Sequence, residues 1–194
     1  MIDIQNLSFG YKNLPVLEHI TLRFEPGRIY GLLGENGVGK TTLLKLVSGL
    51  LSPYEGSCTV DGYRAFDRQP DMLQRVLFLP DEVQLPFDAT PLKHVRELAP
   101  FYPRYSEERF RKLMEELKVD PQRRFREMSF GQQKKSLIAA SLSLGTEYVL
   151  LDEPTNGLDI PSKGDLRRIL SQRAGDDSAI IISTHQVKDV ENLI

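Results

Sequence analysis

The stretch Gly34-Glu35-Asn36-Gly37-Val38-Gly39-Lys40-Thr41 follows the pattern G-x-x-x-x-G-K-[ST], and it stands between an apolar run, Ile29 to Leu33, and a helical pattern from Lys40 to Ser48. That placement leaves few folds open. A strand, a glycine-rich loop and a helix in succession form the α/β unit that holds phosphate. The glycines let the backbone curl so that successive N–H groups converge on phosphate oxygens, and the helix N-terminus adds its dipole. Lys40 is then expected to reach the β- and γ-phosphates of a nucleotide. The Thr41 hydroxyl is expected to ligate Mg²⁺, which takes the rest of its octahedral shell from phosphate and water.

A phosphate loop of this kind needs an acidic partner at the end of a neighbouring strand. Tyr148 to Leu151 is an apolar run that ends in Asp152 and Glu153. Asp152 is placed to hold Mg²⁺ through water, and Glu153, one residue on, to polarise an attacking water. Two further apolar runs, Val76 to Leu79 and Ala179 to Ile182, also end at polar residues. Short runs without polar alternation predict strands of a parallel sheet buried on both faces.

The rest of the chain fits around that core. Ile2, Ile4, Leu7 and Phe9, then Val16, Ile20, Leu22 and Phe24, approximate period-two alternation, with Asn13-Leu14-Pro15 as the turn between them. An antiparallel strand pair is expected there. Phe110, Leu113, Met114 and Leu117 fall at i, i+3, i+4 and i+7 after Ser106, which predicts an amphipathic helix. Ser129-x-x-Gln132 is a capping box opening a second helix that runs to Leu144. The expected organisation is one unit: an α/β core with its β subdomain over residues 1–87 and 146–194, and a helical subdomain over 88–145.

Charge and cysteine content narrow the setting. Acids and bases are interspersed around a formal net charge of -2, so no single-sign field recruits nucleic acid or an anionic surface. Cys58 is the single cysteine, which fits a reducing cytosolic environment. Met1 to Asn6 lacks a secretory start, and no run approaches the roughly 18 apolar residues a membrane span needs. If the protein works at a membrane, another chain spans it.

Gly34 to Thr42, Met128-Ser129-Phe130-Gly131-Gln132, Asp152-Glu153-Pro154-Thr155-Asn156-Gly157-Leu158-Asp159 and Ser183-Thr184-His185, in this order and spacing, resemble the ATP-binding subunits of ABC transporters. The resemblance covers nearly the whole chain. It implies a P-loop NTPase fold of the ABC ATPase type, ATP and Mg²⁺ as ligands, and ATP hydrolysis. Residues 34 to 39 with Lys40, Thr41 and Thr42 correspond to the phosphate loop. Ser129, Gly131 and Gln132 correspond to the signature that closes over ATP held by a second copy, and Asp159 to the loop that crosses between copies.

By the same resemblance His185 is the switch histidine at the γ-phosphate, and Lys40, Glu153 and His185 form the catalytic set. Tyr11, 23 residues before Gly34, matches the aromatic that stacks on adenine. Two positions depart from the pattern. Phe130 stands where the family usually has the first signature glycine, and Asp81, followed by Glu82, where it commonly has a glutamine that senses Mg²⁺; Asp81 is therefore a candidate metal ligand alongside Thr41 and Asp152.

The partners implied are a second copy in a head-to-tail dimer and a separate transmembrane permease, placing the chain on the cytoplasmic side of the membrane, with no direct nucleic-acid binding. The approach from Leu79-Pro80-Asp81-Glu82 and the stretch Phe101 to Ser106 is similar to small bacterial exporter-type ATPases. Two alternatives stand beside this. A soluble ABC ATPase acting on ribosomes or DNA is disfavoured by the single nucleotide unit and the 90 residues from Gly39 to Ser129 without sustained heptads. A P-loop kinase would leave Ser129, Gly131, Asp159 and His185 without a role. Family members usually continue past the switch histidine, so the end at Ile194 is expected to mark either a truncation or a naturally short subunit.

Overall fold

The structure, a computed structural model, describes residues 1–12, 14–173 and 178–186. The expected turn residue Asn13 and the chain end at Ile194 lie outside the described residues.

Strands β1 (Ile2–Tyr11) and β2 (Leu14–Phe24) pair antiparallel, as their alternation predicts, but the register slips between Ile4 and Leu7 and again between Leu7 and Phe9. The slips answer a conflict in the sequence, whose apolar set moves from even to odd positions. Asn6, at φ 45°, and His19, at φ 51°, absorb the extra residues. Their amides are satisfied by Thr21 Oγ1 and Ser8 Oγ, each at 3.0 Å. Ile2, Ile4, Leu7 and Phe9 are thereby all buried. On β2 the bulges change which residues face inward: Leu17 and Phe24 are buried, whereas Leu22, expected in the core, stays 38% exposed.

Strand β3 (Ile29–Leu33) feeds the glycine loop and helix α1 (Lys40–Val47). Strands β4 (Glu55–Val60) and β5 (Tyr63–Arg64) then complete a four-stranded antiparallel sheet in the order β2-β1-β4-β5. The short helix α2 (Pro70–Leu73) leads to β6 (Val76–Leu79). Three helices follow: α3 (Pro91–Leu98), α4 (Glu107–Glu116) and α5 (Phe130–Ser143). The Ser106 side chain caps α4 by accepting from the Arg109 amide at 3.1 Å. Phe110, Met114 and Leu117 are fully buried beneath it.

Strand β7 (Tyr148–Asp152), helix α6 (Ile160–Arg173) and strand β8 (Ala179–Thr184) close the described chain. The second sheet is parallel throughout, in the order β3-β8-β7-β6. Every residue of β7 and β8 is buried, which is why these strands carry no polar alternation. Tyr148, Leu150, Ala179 and Ile181 pack with α1 and the antiparallel sheet, while Val149, Leu151, Ile180 and Ile182 pack with α4 and α5. Helix α1 is thus held between the two sheets. Because the strands are parallel and in register, Leu33 lies beside Thr184 and Asp152 beside Ser183. Loops far apart in sequence leave the sheet at one edge.

Candidate functional site

That edge begins with the glycine loop. Gly37 and Gly39 have φ of 87° and 100°, a region that L side chains rarely enter. At Gly39 a Cβ would also come within 2.8 Å of Leu17 Cδ2, so the loop's approach to β2 requires glycine twice over. The N-cap of α1 is this glycine, which has no side chain to satisfy the first-turn amides. Those N–H groups are left to an anion. Lys40, the first residue of α1, turns its Nζ back onto the Gly34 and Glu35 carbonyls at 2.7 and 2.9 Å. Glu35 and Val38 are exposed on the loop, and Val38 packs against Gly34.

The acidic strand end faces this loop. Thr41 Oγ1 donates to Asp152 Oδ2 at 2.8 Å, and the Ser183 hydroxyl donates to Asp152 Oδ1. Glu153 leaves the sheet in the left-handed region, φ 44°, with its amide held by Ser183 O and Oγ, both at 3.1 Å. Its Oε1 lies 3.0 Å from His185 Nδ1 and 3.8 Å from Lys40 Nζ. Its Oε2 is buried and has no hydrogen-bond partner among the described residues. Asp81, in the loop after β6, accepts from Lys134 Nζ at 2.6 Å and from Asn156 Nδ2 at 3.2 Å.

Tyr11, Val16, Asn36, Gly37, Gly39 to Thr42, Asp81, Asp152, Glu153 and Asn156 line one cleft of about 490 Å³. Tyr11 stands 46% exposed at the rim, edge-on to Phe9 with ring centroids 5.0 Å apart. The donor set suits Mg²⁺: Thr41 Oγ1 and Asp152 Oδ2 are hard oxygens already within hydrogen-bond distance of each other. Among the described residues no three His, Cys, Asp or Glu gather as a metal cluster.

Ser129, Gly131, Gln132 and Asp159 do not line this cleft. Ser129 and Gln132 are engaged in the capping box of α5, at 3.1 and 3.3 Å. Asp159 Oδ1 accepts from the Ser162 amide at 2.9 Å, and the Ser162 hydroxyl and amide hold the Asp159 carboxyl below the usual carboxylate range. Phe130, 58% exposed, covers Gly157 so closely that a Cβ there would lie 2.4 Å from its ring. The aromatic departure at 130 is therefore matched by a glycine at 157. Lys134, Asn156 and Ser183 also touch the site; Asn156 and Ser183 lie within the motifs quoted above, whereas Lys134 lies outside them, buried on one helix face with Leu137 and Ile138.

The glycine loop, the two acids and the histidine meet as the motif order implies, and residues 17–156 match the family described as ABC transporter. The chain belongs to that family. It is 31% identical over 196 residues to the ABC transporter ATP-binding protein YtrB of Bacillus subtilis, an alignment that covers all of this chain and 66% of that protein. It is 30% identical over 195 residues to the SkfA peptide export ATP-binding protein SkfE of the same organism, covering 98% of this chain and 81% of that one. A solved structure of a putative ABC transporter ATP-binding protein from Pyrococcus furiosus superposes with a TM-score of 0.84 at 28% identity, over 95% of this chain and 91% of that one. The fold is that of an ABC ATPase: a mostly parallel core sheet, an antiparallel β sheet and helices inserted between β6 and β7. Among the described residues no helix is long and apolar enough to cross a membrane.

Proposed function

We propose that this chain binds and hydrolyses Mg-ATP, and that ATP-driven closure of two copies powers a separate membrane-spanning chain from the cytoplasmic face. The observation that carries the reading is Glu153. It is a buried carboxylate at the mouth of a phosphate loop, with one oxygen held by His185 at 3.0 Å and the other without a hydrogen-bond partner among the described residues.

On this reading each residue of the cleft has a step. The loop amides of Gly37 and Gly39 and the start of α1 take the phosphates, and Lys40 exchanges its carbonyl partners for γ-phosphate oxygens. Glu153 Oε2 takes the proton of the attacking water as its oxygen bonds to the γ-phosphorus and the bond to the β-phosphate oxygen breaks. His185 fixes the Glu153 carboxylate and stands beside the transferring group. Thr41 and Asp152 would hold Mg²⁺, which would supply positive charge to offset that on the phosphate oxygens. Tyr11 at the rim offers a face to adenine.

Ser129, Gly131 and Gln132, absent from this cleft, are the residues a second copy would bring over the nucleotide, with Asp159 on the crossing loop. The capped start of α5 suits them to a phosphate. A groove of about 570 Å³ beside α2, β6 and the end of α3 is walled by Leu73, Leu77, Phe78 and Phe101. Phe101 is 67% exposed there, which supports docking of an apolar segment from the membrane chain. Similarity to a peptide-export protein supports export.

The test is gel filtration of Glu153→Gln with ATP and Mg²⁺, which should run as a dimer and return to monomer with EDTA. A variant that stays monomeric while binding ATP would remove closure between copies from the reading.

A further inference from the structure

Lys134 is a buried cation that the mechanism above does not use. It lies near the start of α5, 4% exposed, and a buried ammonium is tolerated only with a counter-charge and hydrogen bonds. Its Nζ donates to Asp81 Oδ1 at 2.6 Å and to the Glu153 carbonyl at 2.7 Å, and lies 5.9 Å from the centre of the Phe130 ring. Three segments meet on this one nitrogen: the loop after β6, the loop after β7 and the helix that follows the signature.

We propose that Lys134 is a positioning residue that holds Glu153 in place through its carbonyl, and that Asp81 serves as the counter-ion of Lys134 rather than as a metal ligand. The proposal rests on the reading of Glu153 as the carboxylate that activates water.

Two features support it. Glu153 occupies φ 44°, a conformation that a non-glycine residue keeps only when its surroundings hold it. Here the surroundings are explicit, because Ser183 takes the amide and Lys134 takes the carbonyl. Asp81, for its part, has both oxygens engaged, one by Lys134 and the other by Asn156 at 3.2 Å. A neutral amide at position 81 would leave the buried Lys134 charge without a counter-ion.

The experiment uses the full chain and three variants, Lys134→Met, Asp81→Asn and the double, with Lys134→Arg as the conservative control and a thermal melt on each. Mg-ATP binding is followed by calorimetry across a Mg²⁺ titration, and turnover by phosphate release. The expected result is that Lys134→Met lowers kcat by about tenfold with ATP affinity within about twofold, and that Lys134→Arg restores most of it. Asp81→Asn should lower kcat in the native background and do nothing further in Lys134→Met, the mark of one coupled unit. Its Mg²⁺ midpoint should stay within about twofold of wild type, as expected of a group outside the metal's shell.

A Mg²⁺ midpoint displaced about tenfold by Asp81→Asn, or an undiminished Asp81→Asn effect in the Lys134→Met background, overturns the proposal. Should Lys134→Met fail to fold, the Mg²⁺ titration of Asp81→Asn decides alone. A wild-type chain that binds no Mg-ATP would instead remove the functional reading beneath it, an outcome the calorimetry separates from the other two.

Discussion

Strands β6 and β7 carry a charged cluster at each end, and the two clusters are built on opposite terms. At the N-terminal end Arg75 pairs with Glu147 at 2.9 Å and Asp61 at 3.5 Å, and Arg104 pairs with Glu147 at 2.8 Å. The Tyr148 hydroxyl donates to Asp61 at 2.7 Å. Each charge there has a partner of opposite sign, although Asp61, in the turn after β4, also has a left-handed backbone, φ 49°. At the C-terminal end Glu153 has a buried oxygen without a partner and a left-handed backbone, while Lys40 is held by carbonyls with its nearest carboxylate 3.8 Å away. A satisfied network ties strands together. An under-paired one, held in strain by its neighbours, is arranged for a ligand that brings the missing charge.

Substituting the two glutamates tests that contrast most directly. Glu153→Gln should lower the rate of phosphate release by about 10²-fold or more with ATP affinity nearly unchanged, because only the acceptor of the water proton is lost. Turnover at the wild-type level would place the base elsewhere. Next in size is Gly39→Ala, which forces a side chain onto φ 100° and into Leu17; it should abolish ATP binding in calorimetry and cost about 1–3 kcal/mol of stability. Glu147→Gln should do the reverse of Glu153→Gln. Its partners are partly exposed, Arg75 at 36% and Arg104 at 66%, so its loss should cost about 1 kcal/mol and lower Tm by about 2–4 °C, with turnover unchanged. A fall in kcat without a fall in Tm would dissolve the distinction between the two ends.

The sequence shows the functional end far better than the structural one. Strands β7 and β8 are legible because full burial forces continuous apolar runs, and the glycine loop, with the partly buried β3 that feeds it, because phosphate binding needs those residues at that spacing. The capping residues Ser106 and Ser129 are legible because a helix start is a local event. Strand β4 was not: Glu55-Gly-Ser-Cys-Thr-Val buries only Cys58 and Val60, too few to show a period, and its pairing with β1 is across the sheet rather than along the chain. The bulges at Asn6 and His19 were hidden for a related reason, since a phase change in alternation looks like noise until the partner strand is known. The Lys134, Asp81 and Asn156 contacts join three segments that meet only because β6 lies beside β7. No spacing rule records that neighbourhood.

The smallest expected effect is a difference in pH response at the structural end. Burial pushes the Asp61 carboxyl up, but hydrogen bonds from the Met1 amino group and the Tyr148 hydroxyl outweigh it and hold the group below the usual carboxylate range. Burial, and then the bond to Asp61, push the Tyr148 hydroxyl well above the usual phenol range. A carboxylate with a depressed folded pKa contributes stability that is present above its unfolded value, near 3.8, and is lost as pH falls through the folded one. A phenol with a raised folded pKa contributes stability that is present below about 10 and declines above it. Between those limits neither group titrates, so the network should give a flat stability profile from about pH 5 to 7. Thermal melts of wild type and Asp61→Asn should therefore differ by a constant amount across that window. The difference should shrink as pH is taken below about 4, where the wild-type carboxylate is itself protonated on unfolding. A difference that instead changes steeply between about pH 5 and 7 would mean that this end, too, holds a side chain poised to titrate, and the division between a structural and a functional edge of the sheet would not hold.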